Sequence, residues 1–297
     1  MITEYICSDC PRHCNVQRNL DTPSGFCMSP SLPYIYRAAP HFGEEPCISG
    51  EKGSGAIFFS GCNLRCVFCQ NYEISRGSGG KQVDVEGLKD IILRLQDKGV
   101  HNINLVTASH YVRAVAEALS ELDLDIPVVW NSSGYESVET LKMLDGLVQI
   151  YMPDYKYAGS IPAKKYSRAA DYPEIAAEAI KEMFRQRGAY RIDENGIMQS
   201  GVLIRHLILP DETDNSMNAI DFVADEFPAG SALFSLMSQY TPMPDCEKFP
   251  ELNRRVTREE NEMLKHYMKL RGINDGFWQE PDSATEEMIP EFDLTGV

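Results

Sequence analysis

Residues 56–71 read Ala56-Ile57-Phe58-Phe59-Ser60-Gly61-Cys62-Asn63-Leu64-Arg65-Cys66-Val67-Phe68-Cys69-Gln70-Asn71. The first four residues form a continuous apolar run, which predicts a buried strand that ends at the cysteines. The cysteines have the spacing C-x3-C-x2-C, with an aromatic residue before the last. Three thiolates on one short loop can hold three irons of a cubic iron–sulfur cluster and leave the fourth iron open to a substrate. The alternatives are a zinc knuckle or a chance group of cysteines.

Apolar runs alternate with amphipathic helical patterns along the chain that surrounds this loop. We expect strands at 56–59, 102–107, 127–130, 148–152, 202–209 and 232–237, and helices at 85–99, 111–122, 138–147, 173–187, 217–227 and 258–270. This alternation predicts an α/β fold built from parallel β/α units with right-handed crossovers. Six units are fewer than the eight of a closed TIM barrel, and a doubly wound sheet is the alternative. A turn signal at 193–196 predicts a small hairpin before the fifth strand.

Composition narrows the classes of function. The chain has 297 residues, 43% of them hydrophobic, and a formal net charge of −16. A surface this acidic repels the phosphate backbones of nucleic acids. We therefore expect no nucleic-acid partner. No apolar run reaches the roughly 18 residues of a membrane span. The amino terminus has neither the basic nor the apolar region of a secretory signal, so we expect a cytoplasmic protein without a membrane partner.

A second group of cysteines lies near the amino terminus. Cys7, Cys10, Cys14 and Cys27 have the spacing C-x2-C-x3-C-x12-C. Four thiolates make a closed site that suits either structural zinc or an auxiliary iron–sulfur cluster. We therefore divide the chain into a Cys-rich arm (1–50) that binds metal, a core (51–245), and a carboxyl-terminal helix and tail (246–297).

The Cys62–Cys69 loop resembles the signature of the radical S-adenosylmethionine (radical SAM) superfamily, C-x3-C-x-aromatic-C. The resemblance implies that Cys62, Cys66 and Cys69 hold a [4Fe-4S] cluster and that Phe68 lies beside the adenine of S-adenosylmethionine (SAM). It also implies reductive cleavage of SAM to a 5′-deoxyadenosyl radical, with electrons from a donor such as flavodoxin or ferredoxin. The expected core is an open partial (β/α)6 TIM-like barrel.

Chemistry in β/α barrels gathers at the carboxyl ends of the strands. Thr107-Ala108-Ser109-His110 stands where many radical SAM enzymes carry Gly-Gly-Glu, so Thr107 and Ser109 are substitute acceptors. Gly43-Glu44-Glu45-Pro46 looks like that motif but precedes the cysteine loop.

Two further strand ends resemble enzymes that activate pyruvate formate-lyase and related glycyl-radical enzymes. Asp154 and Lys156 match the Asp-x-Lys of that family, and Asn131 replaces its other aspartate. The resemblance places these three residues around SAM. Arg205, in an apolar strand, needs an anionic partner, for which the SAM carboxylate is suitable. The alternative is that Asp154 and Lys156 form an ordinary ion pair.

Over nearly its full length the chain resembles the pyruvate formate-lyase activating enzyme-like group known as PflX. This resemblance implies an oxidoreductase that abstracts hydrogen, with a glycine of a glycyl-radical enzyme as one candidate target. Two alternatives remain open: radical chemistry on a small molecule or another protein, and a non-catalytic iron–sulfur electron carrier or sensor. The residues that would act directly on a substrate are not predicted.

Overall fold

A mostly parallel sheet of ten strands forms the centre of the fold in the computed structural model, which describes residues 4–77, 79–279 and 290–297. The described strands are β1 (Tyr5–Ile6), β2 (Gln17–Arg18), β3 (Tyr34–His41), β4 (Ser54–Phe59), β5 (Lys81–Gln82), β6 (Ile103–Val106), β7 (Val128–Ser132), β8 (Ile150–Pro153), β9 (Arg191–Ile192), β10 (Met198–Leu207), β11 (Leu233–Met237) and β12 (Gly276–Trp278).

The strand order is β12-β11-β10-β8-β7-β6-β4-β3-β5, and β9 pairs with β10. From β4 to β11 every neighbouring pair in this order is parallel. These are the six predicted strands in the predicted order, so the α/β expectation is confirmed. The carboxyl ends of parallel strands meet at one edge of the sheet, which places the residues after β4, β6, β7, β8, β10 and β11 together.

Helices follow the parallel strands and cover the sheet. They are α1 (Pro46–Ser49), α2 (Tyr72–Arg76), α3 (Val85–Asp97), α4 (Val112–Ser120), α5 (Val138–Lys142), α6 (Ser160–Ser167), α7 (Tyr172–Arg187), α8 (Thr213–Glu226) and α9 (Arg258–Leu270). Helix α3 is an example of how the sequence produces such a helix. Its apolar residues Leu88, Ile91, Ile92 and Leu95 recur at helical spacing and are buried. Asp84 caps its start by accepting a hydrogen bond from the Gly87 amide.

Several elements differ from the sequence prediction. Helix α5 ends at Lys142 instead of residue 147, because the chain turns through residues 143–147, with Gly146 at a positive φ of 88°. The hairpin before the fifth strand is confirmed, since β9 pairs antiparallel with β10. Strand β12, which no pattern predicted, adds a further parallel strand beside β11.

The two ends of the chain lie against the barrel. In the amino-terminal segment, β1 and β2 pair as a small hairpin, whereas β3 joins the main sheet antiparallel to β4. In the carboxyl-terminal segment 290–297, the Leu294 amide donates to the Tyr36 carbonyl on β3 (3.0 Å). Residues 280–289 of the predicted tail lie outside the described residues. Within the described ranges, no helix combines the length and the apolar character that crossing a bilayer requires.

Candidate functional site

A cavity of about 200 Å³ opens at the carboxyl ends of the parallel strands. The predicted site residues that share its wall are Cys62, Cys66, Phe68, Cys69, Asn131, Asp154, Lys156 and Arg205. They come from the carboxyl-terminal parts of four strands, β4, β7, β8 and β10, which the parallel sheet brings together.

The cysteine loop forms one wall of this cavity. Cys62 and Cys66 are buried and Cys69 is half-buried. The amides of Leu64 and Arg65 point at the Cys62 sulfur, at 3.3 and 3.4 Å. Burial, together with the neighbouring Cys66 and Cys69 thiols, raises the pKa of the Cys62 thiol to about 12. A thiol in this position becomes a thiolate only when a metal replaces its proton.

These residues fit a four-iron cluster better than a single ion. In the part of the chain that the structure describes, no three His, Cys, Asp or Glu side chains converge as ligands of one ion do. A cubic cluster makes a different demand, because each thiolate binds an iron at a different corner. Three thiols along one wall, with amide donors to one sulfur, meet that demand.

Phe68 lies beside the cysteines and is held by other aromatic rings. Its ring stands 6.2 Å from those of Tyr157 and Tyr240, both in edge-to-face geometry. Such pairs are favourable because the positive ring edge meets the negative ring face. Phe68 is therefore fixed at the cavity wall.

Arg205 is the centre of a half-buried polar network that also lines the cavity. Its Nε donates to Asp154 Oδ1 (2.9 Å), its Nη1 to Glu44 Oε2 (2.9 Å) and its Nη2 to Asn131 Oδ1 (2.7 Å). Burial would raise the pKa of Asp154, but the charges of Arg205 and Lys156 hold it below its usual value. Asp154 is therefore an anion at neutral pH. Arg205 uses its whole donor fork, which a lysine lacks.

Lys156 reaches the cavity from the segment after β8. Its Nζ donates to Asp154 Oδ2 (2.6 Å), and its amide donates to the Tyr172 hydroxyl (2.9 Å). Burial would lower the pKa of Lys156, but Asp154 and the nearby Cys66 and Cys69 raise it overall. Lys156 therefore stays a cation between a carboxylate and the cysteine wall.

Glu44 is a site residue that sequence reasoning missed. It lies before α1 in the Gly-Glu-Glu-Pro segment, which precedes the cysteine loop in sequence, yet its side chain lines the cavity. Its Oε1 accepts from Asn104 Nδ2 (2.9 Å) and Asn131 Nδ2 (3.1 Å). The chain order was a poor guide, because β3 returns antiparallel beside β4 and brings this segment over the barrel.

The two proposed substitutes for Gly-Gly-Glu have different surroundings. Thr107 lines the cavity and adopts a positive φ of 60°, directly after β6. Ser109 instead donates to Glu136 Oε1 (2.6 Å) and is buried. Burial raises the pKa of Glu136. Thr107 is thus the one of the two that faces the cavity.

The arm cysteines are grouped beside this site. Cys7, Cys10 and Cys27 are buried and Cys14 is half-buried. Burial, and next the proximity of the Cys27, Cys7 and Cys14 thiols, raise the pKa of Cys10 to about 12. The thiols of Cys7, Cys14 and Cys27 are thus close enough to Cys10 to affect its pKa.

One curated protein is similar to this chain over most of its length. A protein of Methanocaldococcus jannaschii, described as uncharacterized protein MJ0674, is 31% identical over 268 residues, which are 86% of this chain and 72% of the relative.

Two solved structures are similar to parts of this chain. Streptococcus suis SuiB bound to the precursor peptide SuiA matches with a TM-score of 0.48 and 14% identity, over 76% of this chain and 49% of SuiB. Escherichia coli QueE matches with a TM-score of 0.44 and 10% identity, over 84% of this chain and 93% of QueE.

A family profile decides the assignment. It covers residues 56–223, from the strand before the cysteine loop to the helix after β10, and it describes the Radical SAM superfamily. The chain is therefore a member of the radical SAM superfamily of enzymes, for which a [4Fe-4S] cluster and SAM are the implied cofactors.

Proposed function

We propose that Cys62, Cys66 and Cys69 hold the cluster and that the wall around Arg205 holds SAM. When bound, the cluster supplies one electron for cleavage of the SAM sulfonium, and the radical so produced removes a hydrogen atom from a substrate. The observation that supports this assignment is the single cavity in which three thiols face a buried network of charges.

The charges of the chain's own residues suit the two ends of SAM. Lys156 and Arg205 are cations whose charge can neutralise a carboxylate, while the nitrogens of Arg205 already donate to Asp154, Glu44 and Asn131. Asp154 and Glu44 are acceptors for an ammonium or a neighbour for a sulfonium. Phe68 offers an aromatic edge to the adenine. In this proposal the polypeptide orients SAM and excludes water, and the cofactors carry the redox chemistry.

We propose a backbone glycine of a glycyl-radical enzyme as the hydrogen donor. The support is the Asp154-x-Lys156 segment, whose two side chains are bonded to each other inside the cavity. The resemblance to activating enzymes implies that both residues lie around SAM, and both line this cavity, where they also form the ion pair that was the alternative. The donor of the electron is then a flavodoxin or ferredoxin, and the cytoplasm is the compartment that supplies it.

A second candidate is radical chemistry on a small molecule or on another protein. Asn131 stands where the activating enzymes carry an aspartate, and Arg205 Nη2 is bonded to its Oδ1. The surroundings of SAM therefore differ in charge from those of the activating enzymes, which favours a different substrate.

The arm cysteines complete the proposal. We propose that Cys7, Cys10, Cys14 and Cys27 hold either zinc or a second iron–sulfur cluster, because their C-x2-C-x3-C-x12-C spacing suits four thiolate ligands and three of the thiols are buried.

One experiment separates the candidates. The protein is reconstituted and reduced without oxygen, given SAM, and assayed for 5′-deoxyadenosine. It is then incubated with candidate glycyl-radical enzymes and examined by electron paramagnetic resonance (EPR). A glycyl doublet supports the activating role. Active SAM cleavage without a doublet from any candidate supports the second candidate, and no 5′-deoxyadenosine contradicts both.

A further inference from the structure

The side-chain amide of Gln239 lacks a strong hydrogen-bond partner. Gln239 is half-buried, lines the cavity and lies two residues after β11 ends. Among the described residues no group donates to its Oε1, which is buried. Its Nε2 lies 3.9 Å from the Met237 sulfur, a weak acceptor. Buried polar groups normally have partners, so this amide indicates a place where a ligand supplies them.

The backbone around Gln239 is fixed, whereas its amide can turn. Gln70, which directly follows the last cysteine of the loop, donates from Nε2 to the Gln239 carbonyl (3.3 Å). Tyr240, the next residue, is 1% exposed, and its hydroxyl donates to the Leu252 carbonyl (2.7 Å). The terminal torsion of a glutamine side chain is broad. Rotation about it can therefore present the oxygen and the nitrogen of the amide to the cavity.

The wall formed by β10 and β11 is charged at one level and uncharged at the next. In the register of these strands, Arg205 pairs with Ser235 and Leu207 pairs with Met237. Side chains two residues apart on a strand point to the same face and are separated by about 7 Å. Leu207 and Met237 therefore form an uncharged layer beyond Arg205, and Gln239 continues this layer away from the charges.

This order of side chains matches the order of groups in SAM. The amino, carboxylate and sulfonium groups of SAM are charged, whereas its adenine is neutral. The charged groups suit the wall around Arg205, which leaves the adenine for the uncharged part of the wall at Gln239. The ring of Phe68 stands 6.2 Å from that of Tyr240, the neighbour of Gln239. An aromatic ring that can pack against the base is thus close to the amide.

A carboxamide also has the hydrogen-bonding groups that adenine requires. The exocyclic amino group of adenine is a donor, and the adjacent ring nitrogen is an acceptor. Glutamine reads adenine in DNA by pairing with both at once.

We propose that Gln239 recognises the adenine edge of SAM, an inference that rests on the proposed function. Its Oε1 accepts from the 6-amino group, and its Nε2 donates to the adjacent ring nitrogen. Gln239 is then a specificity-determining residue: it selects a 6-aminopurine and sets the orientation of the nucleoside.

A comparison of two ligands tests the inference on the unaltered protein, reconstituted without oxygen. The ligands are SAM and its analogue in which hydrogen replaces the 6-amino group, and equilibrium binding gives both dissociation constants. Loss of the amino group should weaken binding by about tenfold, because Oε1 is again left without a donor. Equal dissociation constants overturn the inference but leave the proposed function standing. No binding of SAM contradicts the proposed function, and the inference with it.

A variant then assigns the effect to Gln239. Gln239→Met keeps an unbranched side chain and removes the amide, so it should bind both ligands equally weakly. Gln199→Met is the matched control, since the Gln199 amide donates to Asp193 Oδ2 (3.1 Å) in the hairpin of β9 and β10. This control should keep the full preference for SAM. A preference that persists in Gln239→Met overturns the inference, because a purely structural role would weaken both ligands alike and leave their ratio unchanged.

Discussion

Asp154 and Arg205 lie side by side on neighbouring parallel strands, where their backbones form a bridge and Arg205 Nε meets Asp154 Oδ1 at 2.9 Å. The register of β8 against β10 therefore sets the charge arrangement of the cavity. Because the backbone fixes both side chains, the pair is formed before any ligand binds. The same guanidinium donates hydrogen bonds to Asn131 and Glu44. Arg205 therefore connects three separate segments of the chain that line the cavity.

Removal of this guanidinium should destabilise the fold. Arg205→Met leaves Glu44 and Asp154 buried without their main cation, and breaking a buried ion pair in this way costs about 3–5 kcal/mol. The free energy of unfolding in denaturant measures the loss. Lys248→Met, which removes an exposed ion pair with Asp245, is the control and should cost less. Equal losses in the two variants would contradict the central position of Arg205.

Lys156 should be needed for SAM affinity. Lys156→Met keeps the length of the side chain and removes its charge. The loss of one charge-assisted hydrogen bond, about 1.5–3 kcal/mol, weakens SAM binding by at least about tenfold. Anaerobic equilibrium binding measures the dissociation constant. Lys164→Met, at an exposed position on α6, should bind SAM like the unaltered protein.

Glu44 should also contribute to SAM affinity, through a charge opposite in sign to that of Lys156. Glu44→Gln keeps the shape but removes a negative charge from a cavity that must accept a cationic ligand. We expect SAM affinity to fall by about tenfold, the effect of roughly 1.4 kcal/mol. Glu51→Gln, exposed after α1, is the matched control. Equal affinities in both variants would show that Glu44 has only a structural role.

We expect that removing a cluster ligand from the cysteine loop leaves the core folded. Cys66→Ala removes one cluster ligand, so the iron held by Cys62, Cys66 and Cys69 is lost. The sheet and its helices remain, because the substitution removes one sulfur atom from a large core of buried apolar side chains. Iron content and circular dichroism, measured on the same sample, test both expectations. A variant that keeps its full iron content would show that Cys66 is not a ligand.

Helix α9 provides a pH-dependent test of stability. Hydrogen bonds from Arg254, against the effect of burial, lower the pKa of Glu260 to about 2. The carboxylate also completes a capping box with Thr257. A lowered folded-state pKa contributes stability that is present above the unfolded value, near 4.5, and is lost as the pH falls towards 2.

Glu260→Gln should therefore cost about 1–2 kcal/mol at pH 7, and this difference should shrink below pH 4.5. Unfolding curves at several pH values measure it. Glu259→Gln, the exposed neighbour, should show no such pH dependence. A difference for Glu260→Gln that does not vary with pH would contradict this account of the carboxylate.

The sequence predicted the parallel core well because buried strands and amphipathic helices leave strong periodic signals. Helix α9 was predicted from its helical pattern with its observed bounds, Arg258–Leu270. The placement of Asp154, Lys156 and Arg205 in one cavity followed from the rule that strand ends meet.

Contacts between residues that are far apart in the sequence could not be predicted from local patterns. Glu44 was set aside because it precedes the cysteine loop, and only the antiparallel return of β3 brings it to the cavity. Tyr172, whose hydroxyl accepts from the Lys156 amide and lies 2.7 Å from the Asp154 carbonyl, starts a helix in sequence and gives no sign of this position. Single-residue contacts across the fold leave no local pattern.

The most direct test concerns the open iron. The reduced, oxygen-free protein is mixed with SAM labelled with ¹⁵N in its amino group and ¹⁷O in its carboxylate, and electron–nuclear double resonance is recorded on the cluster signal. Direct coupling of both labels to the cluster is the predicted result, because only a cluster held by three thiolates has an iron free to bind them. A cluster signal that SAM leaves unchanged, with no coupling to either label, would contradict the account.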